Sequence, residues 1–198
     1  MENMTRQKIP KDMLDLLENG TFAYLCTTDK NWMPHIATIF YIFDLKTHAI
    51  YFITSPTSKK YRNLLNYPRL SLTVDRRDIQ NPFNNEGLLV RGKALPVYQF
   101  WSPELKFTLN AMEQDQRGSN LFTSYIKRRY ISREDYKASE TILRMLSLFQ
   151  EKYPQFLASP GRDVEVVAGG LERVMVELHM ISISYWRGPK FKKFKMSS

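Results

Sequence analysis

The order of apolar and polar residues predicts a β-rich fold with short helices. Ile9, Met13 and Leu16 recur at helical spacing, which predicts an N-terminal helix ending at Asn19–Gly20. Runs rich in β-branched and aromatic residues predict about six strands, at residues 21–28, 34–43, 49–54, 70–75, 87–98 and 171–186. The run 34–43 is apolar on both faces, so we expect a strand buried on both sides. Turns after each of the first two strands predict an antiparallel meander.

Two further segments have helical character. The hydroxyl-rich turn 55–58 precedes residues 59–67, which predicts a capped helix of about two turns with Tyr61, Leu64 and Leu65 on its buried face. Helical periodicity returns after Pro103, most clearly from 132 to 153, and predicts a helical insertion over about 103–156. The pattern as a whole predicts one mainly β (α+β) domain spanning residues 1–198.

Composition narrows the class of protein. A chain of 198 residues with 43% hydrophobic content is typical of a globular domain. The lone Cys26 cannot form an internal disulfide, which favours a reducing compartment. No uncharged apolar run reaches the length of about 18 residues that a spanning helix needs, and residues 1–8 lack the apolar core of a signal peptide. We therefore expect a cytoplasmic protein without a membrane span.

The formal charge of +9 raises the hypothesis of a nucleic-acid partner, with Lys127–Arg129 and the tail after Gly188 as its basic segments. Such charge runs are more often solvated surface, so nucleic-acid binding is a secondary hypothesis. His35, His48 and His179 are scattered without metal-ligand spacing, and no nucleophile motif occurs. The sequence therefore predicts neither a metal site nor a side-chain catalytic residue.

The most informative segment is the strand ending at Ile53 and Thr54, followed by the turn to Ser58 and then by Lys59 and Lys60. Amides at a helix start attract an anion, a serine hydroxyl donates to it, and lysines add positive charge. Two lysines on a short helix are usually only its solvated face. A bound phosphate would give a reason for cations at the helix end whose dipole they oppose.

The order of these parts resembles the pyridoxamine 5'-phosphate oxidase-like family of FMN-binding split barrels. The resemblance runs from Gly20 to about Leu95 and returns near Tyr185. It rests on five short segments, which are Ile36-Ala37-Thr38-Ile39, Ile53-Thr54 with Ser58-Lys59-Lys60, Asn66-Tyr67-Pro68-Arg69, Val90-Arg91-Gly92-Lys93-Ala94 and Tyr185-Trp186-Arg187-Gly188. It implies an antiparallel split β-barrel of about six strands with flanking helices.

The resemblance also implies a cofactor site. Ile36, Ala37, Thr38 and Ile39 would line the flavin ring with Trp186 nearby, Ile53 and Thr54 would flank the ribityl chain, and Ser58, Lys59 and Lys60 would hold the phosphate. The family binds its flavin between two subunits, which implies a homodimer. Departures are equally informative: Pro189 to Phe194 stands where the vitamin-processing oxidases carry an Arg-Leu-His-type substrate signature, Gly87 replaces an amide side chain, and Ile36 replaces an arginine.

The function implied is an FMN-dependent oxidoreductase that uses a nicotinamide or another small-molecule electron donor, with pyridoxamine phosphate disfavoured as substrate. In such an enzyme the flavin performs the electron transfer and the protein positions it. The alternatives are a deazaflavin-dependent reductase and a flavin-binding protein without turnover. The sequence alone does not separate these three.

Overall fold

The computed structural model describes residues 9–101, 133–154 and 172–196. Three α-helices lie in these ranges, namely α1 (Lys11–Asn19), α2 (Lys59–Asn66) and α3 (Arg133–Lys152), with a 3-10 turn at Pro82–Asn84. The strands are β1 (Ala23–Thr28), β2 (Pro34–Ile39), β3 (Ile42–Asp44), β4 (Ala49–Thr54), β5 (Arg69–Arg76), β6 (Glu86–Trp101), β7 (Glu172–Arg187) and β8 (Lys190–Lys195). The described chain is therefore mainly β, as the sequence predicts.

These strands form one eight-stranded sheet in the order β2-β1-β5-β6-β7-β4-β3, and β8 pairs with β7 off this path. The pairings β1–β2, β1–β5, β3–β4, β5–β6 and β7–β8 are antiparallel. The prediction of a simple meander is wrong, because β2 and β3 follow each other in the chain but lie at opposite ends of the order. The described part has two strands more than the sequence predicted.

The apolar run 34–43 is not one buried strand. It breaks at Phe40 and Tyr41 into β2 and β3. Strand β2 is an edge strand in which Ile36 is 68% exposed. Tyr41 accounts for the break, because it is fully buried and its hydroxyl donates to the carbonyl oxygen of Leu16 in α1 at 3.3 Å. Hydrophobicity alone therefore predicted the wrong burial for this segment, because some of its apolar side chains are exposed on an edge strand.

Helix α2 shows why the hydroxyl-rich turn precedes it. The Ser58 hydroxyl oxygen accepts a hydrogen bond from the Tyr61 backbone N–H at 3.3 Å, which makes Ser58 the N-cap. Tyr61 and Leu64 are buried as predicted. Leu65 is 63% exposed, so its predicted burial is wrong, and Asn63 takes a buried position instead.

The basic segment after Gly188 is a strand rather than a tail. Residues of β8 pair with β7 in a hairpin whose register places Phe194 opposite Ile183 and Phe191 opposite Trp186. Gly188 adopts a left-handed φ of 51°, and a Cβ there would lie 2.7 Å from the Phe83 carbonyl oxygen. The turn between the two strands therefore requires glycine.

The backbone divides into two compact units. One holds described residues 9–53, 57–96 and 176–196, and the other holds 54–56, 97–101, 133–154 and 172–175. In the second unit, α3 buries Met145, Leu146 and Phe149, and the rings of Phe149 and Tyr153 lie 5.9 Å apart. Helix α3 confirms the helical character predicted for 132–153, while 102–132 and 155–171, including Lys127–Arg129, lie outside the described residues. The assignment of 1–198 to one domain stays a prediction.

None of the helices in the described ranges combines the length and apolar character needed to cross a membrane.

Candidate functional site

Two lysines follow the N-cap of α2. Lys59 is exposed and Lys60 is half-buried. Burial lowers the pKa of the Lys60 ammonium group, because a charge loses hydration when it leaves water. Within the residues described, no carboxylate pairs with Lys60. The start of α2 therefore presents backbone amides and a partly desolvated cation, a combination that favours an anion.

The turn between β1 and β2 is held against this helix start. The Asp29 carboxylate accepts backbone N–H bonds from Asn31 at 2.9 Å and Met33 at 3.1 Å, and it lies 3.7 Å from Lys59 Nζ. These bonds, the one from Asn31 above all, lower the pKa of Asp29. Asp29 fixes the turn first and only secondarily neutralises Lys59, whose side chain is half exposed.

Further along α2, Asn63 joins the helix to both strands of the β1–β2 hairpin. Its side-chain N–H donates to Thr27 Oγ1 at 3.0 Å, and Thr27 Oγ1 donates to the His35 carbonyl oxygen at 3.5 Å. At the end of the helix, the rings of Tyr67 and Trp32 lie 4.7 Å apart. The structure therefore brings the predicted phosphate and ring segments together through residues that the sequence analysis did not identify.

The predicted ring-lining residues do not share one environment. Ile36 and Thr38 are exposed, Ala37 is half-buried and Ile39 is buried. Because side chains alternate along a strand, Ile36 and Thr38 share the outer face while His35, Ala37 and Ile39 face inward. The inward Nδ1 of His35 is buried and has no hydrogen-bond partner among the described residues. Ile36 and Thr38 are thus the two side chains of this set that a ligand on the outer face could contact.

Ile53 and Thr54 end β4, where Ile53 is half-buried and Thr54 is buried. Thr54 belongs to the second unit, and its proposed role beside the ribityl chain stays a prediction.

Trp186 lies elsewhere in the sheet. Strands β1, β5 and β6 separate β7 from β2 in the hydrogen-bonded order. The Trp186 indole covers Gly87 so closely that a Cβ there would lie 2.1 Å from Cζ2. Gly87 therefore cannot carry the amide side chain that the resemblance would place there, because the indole fills that space.

The same end of β7 holds a charge network. Tyr185 donates from its hydroxyl to Glu86 Oε2 at 2.7 Å, and Arg76 bridges Glu86 Oε1 at 2.9 Å and Asp15 Oδ2 at 3.0 Å. Burial, then the Glu86 carboxylate, raises the pKa of Tyr185 to about 12. No group of three or more His, Cys, Asp or Glu side chains in the described ranges could hold a metal ion.

Comparison with known proteins gives a family match. Residues 9–121, more than half of the chain, match the family model described as Pyridoxamine 5'-phosphate oxidase. Comparison with curated proteins finds no match.

Several solved structures share the fold. An F420 reductase matches with a TM-score of 0.52 at 19% identity, covering 89% of this chain and 98% of that one. An FAD-binding protein from Mesorhizobium loti gives 0.50 at 15% identity over 92% and 97%. HutZ, a heme storage protein from Vibrio cholerae, gives 0.51 at 10% identity over 96% of both chains. These identities show the fold alone, and the predicted antiparallel split barrel is confirmed.

Proposed function

This chain belongs to the pyridoxamine 5'-phosphate oxidase family, and from that membership we propose that it is an FMN-binding oxidoreductase whose cofactor phosphate binds at Ser58, Lys59 and Lys60. One observation carries the proposal: Lys60 is a partly desolvated cation at a helix start with no carboxylate partner among the described residues. A phosphate there would offset the lost hydration of the ammonium group.

The geometry of the hairpin supports a flavin ring beside the phosphate. Asp29 and Asn63 hold the β1–β2 hairpin to α2, so that Ile36 and Thr38 present an exposed surface on β2. The unpartnered Nδ1 of His35 lies on the opposite, inner side of β2, so a buried water rather than the ring would supply its partner. Ile36 and Thr38 through their side chains, and Ala37 and Ile39 through their backbone, remain the proposed contacts of the ring, with Ile53 beside the ribityl chain.

The same surface supports the proposal of a homodimer. Large apolar side chains are exposed along the hairpin and just after it, at Trp32, Met33, Ile36 and Phe40. Exposed apolar clusters mark interaction sites. We propose that a second copy covers this surface and that Trp186 of that copy approaches the ring, since β7 and β2 of one copy are separated by three strands.

The bound flavin would supply the hydride or electron transfer. The residues of this chain would hold the phosphate, orient the ring along β2 and exclude water from it. A nicotinamide or other small-molecule donor would provide electrons in the cytoplasm. Pyridoxamine phosphate is not the proposed substrate, because the segment Pro189 to Phe194 lacks the Arg-Leu-His-type substrate signature that the resemblance places there.

A deazaflavin is the second candidate, favoured by the likeness to an F420 reductase. Both cofactors carry a phosphate, so the same cradle would serve either one. A flavin-binding protein without turnover is the third candidate. Reduction of the bound flavin by NADH or NADPH would separate an enzyme from a storage protein.

The test compares FMN with riboflavin, which lacks the phosphate. The purified protein is expected to show flavin absorption and to prefer FMN. Lys60→Gln should weaken FMN binding about tenfold or more, as loss of one charge-assisted hydrogen bond implies. Riboflavin binding should change little, and Lys46→Gln, in the exposed turn before β4, should leave both affinities unchanged.

Equal loss of FMN and riboflavin affinity in Lys60→Gln would contradict the phosphate role. A heme Soret band in place of flavin absorption, with no uptake of added FMN or deazaflavin, would reject the flavin proposal itself.

A further inference from the structure

Three cations cluster on the outer face of the sheet, away from α2. In the β5–β6 register, Arg69 lies opposite Lys93 and Ser71 lies opposite Arg91. Arg69, Arg91 and Lys93 are all exposed. Paired positions point to the same face and alternate positions share it, so all three side chains lie on one surface, the outer basic face.

This placement is costly without an anion. Like charges directly opposite each other on adjacent strands destabilise a sheet. Lysines often protect sheet edges, but β5 and β6 are interior strands of the order β2-β1-β5-β6-β7. Edge protection therefore does not explain the cluster.

Several other cations in or beside the sheet have acidic partners, although Lys190, Lys193 and Lys195 of β8 have none among the described residues. Arg76 binds Asp15 and Glu86, Arg77 binds Asp75, and Lys192 binds Asp12. No carboxylate in the described part of the chain pairs with Arg69, Arg91 or Lys93. The outer basic face is thus a local excess of positive charge.

The contacts of Gly92 show which side chains of β7 lie on the outer face. A Cβ at Gly92 would lie 2.4 Å from Leu178 Cδ1 and 2.4 Å from the His179 carbonyl oxygen. Gly92 and the Leu178 side chain therefore share the inner face. By alternation, His179 lies on the outer face together with Arg91 and Lys93.

His179 adds an oriented polar group. Its Nε2 lies 2.6 Å from Oε1 of Glu177, whose side chain is mostly buried, while the His179 side chain is 52% exposed. By the same alternation Glu177 shares the face of His179, so a carboxylate engaged with His179 also lies beside the three cations. Hydrogen bonding of Nε2 to a carboxylate fixes the imidazole, and Nδ1 would donate to an anion only in the doubly protonated ring.

We propose that the outer basic face, with His179 beside it, binds a phosphate-class dianion carried by a small molecule, such as a phosphate monoester or a diphosphate. The backbones of adjacent strands lie about 5 Å apart, so that long side chains extending from facing positions would be able to reach neighbouring oxygens of one phosphate group. The arginine fork matches phosphate oxygens in pairs. The Ser71 position next to Arg91 adds a hydroxyl that is able to donate. This site is separate from the cofactor phosphate at α2 and does not depend on it.

Pyrophosphate is the probe, measured by titration calorimetry on the full chain at low ionic strength. Arg91→Gln and Lys93→Gln should each weaken pyrophosphate binding about tenfold. Lys46→Gln is the matched control for loss of one surface charge, and Lys60→Gln tests independence from the flavin site. Both controls should bind as the parent protein does.

Imidazole NMR provides a second readout, because the chain has only three histidines. Pyrophosphate should shift the His179 resonances and leave those of His48, in the β3–β4 turn, unchanged. Equal weakening by Lys46→Gln and Arg91→Gln, or no His179 shift at saturation, would overturn the proposal. So would tight binding of a single-stranded oligonucleotide that Arg91→Gln abolishes while pyrophosphate fails to bind.

Discussion

Gly87 shows how one residue determines the local packing of the sheet. Gly87 follows Glu86 at the start of β6 and lies opposite Asp75 of β5. The Trp186 indole occupies the space where a side chain at Gly87 would lie. Its φ is not in the left-handed region, so the requirement for glycine comes from the close approach of the indole. A side chain at position 87 would therefore clash with the Trp186 indole in its present position.

We expect Gly87→Ala to destabilise the fold by about 1–3 kcal/mol, the usual cost of overpacking a filled site. The added Cβ would lie 2.1 Å from Trp186 Cζ2, so the indole must move. Urea unfolding measures the cost, and tryptophan fluorescence reports the displacement. In a double-mutant cycle with Trp186→Leu, the two changes should couple favourably. Additive effects would show that the indole does not cause the loss.

At the same scale, the sequence predicted the helix start at Ser58 better than the contacts that hold this helix to the sheet. The hydroxyl and lysines around Ser58 follow a local pattern, and a helix cap depends on neighbouring residues alone. Asn63 and Thr27 were missed because their hydrogen bond joins residues far apart in sequence. Helical periodicity assigned burial to Leu65, whereas a polar side chain with a fixed partner took the buried position.

Strand β8 shows the corresponding limit at the scale of elements. Four lysines among its six residues suggested a solvated tail. The strand pairs with β7, and Phe194 lies opposite Ile183 and is only 8% exposed. Lys192 also binds Asp12 of α1 and lies over the Tyr185 ring at 6.0 Å. The lysines led to the prediction of a solvated tail, whereas the burial of Phe194 determines how this strand packs.

The two phenylalanines of β8 give a matched pair of variants. Phe194→Ala should destabilise the fold by about 3–5 kcal/mol, as for other buried aromatic side chains. Phe191 is 65% exposed, so Phe191→Ala should stay within about 0.5 kcal/mol of the parent. Chemical denaturation of both variants tests the strand directly. Similar small losses in both would support the solvated tail instead.

The predicted burial of the apolar run 34–43 on both faces is wrong for the single chain. Hydrophobic character predicts that a strand is covered, but it does not tell whether the cover is the same chain or another molecule. In the described residues, β2 is at the edge of the sheet with its outer side chains exposed. The burial implied by the sequence is what the proposed second copy would provide.

At the scale of the molecule, long-range polar contacts add to those of the sheet and tie helix α1 to it. Asp12 and Asp15 tie α1 to β8 and β5, and Tyr185 ties β7 to β6 through Glu86. Bonds to Lys192 and Arg76 lower the pKa values of Asp12 and Asp15, respectively. These carboxyl groups hold fewer protons in the folded state, so their contribution is present above the ordinary carboxyl pKa and is lost as acid protonates them.

Two of the buried tyrosines, Tyr51 and Tyr185, make the opposite contribution at alkaline pH. Burial is the main cause that raises the pKa values of both Tyr51 and Tyr185 from 10.0 to about 12. Between these values the folded state keeps phenol protons that the unfolded state has lost. The stabilisation that depends on the neutral phenols is therefore complete below about pH 10, and it disappears as pH rises through about 12.

Urea unfolding of the parent protein should accordingly lose stability steeply over this interval, while ultraviolet absorption shows tyrosinate forming as the protein unfolds. Tyr185→Phe removes the titrating hydroxyl together with its bond to Glu86. This variant should be less stable at neutral pH because Glu86 loses a donor, yet its stability should fall less steeply with pH. The decisive quantity is the change of the unfolding free energy with pH rather than its value at one pH. This slope is proportional to the difference in bound protons between the folded and unfolded states. A slope identical to that of the parent protein would mean that Tyr185 ionises as readily in the folded chain as in the unfolded one, and the network around Glu86 would then not protect its hydroxyl.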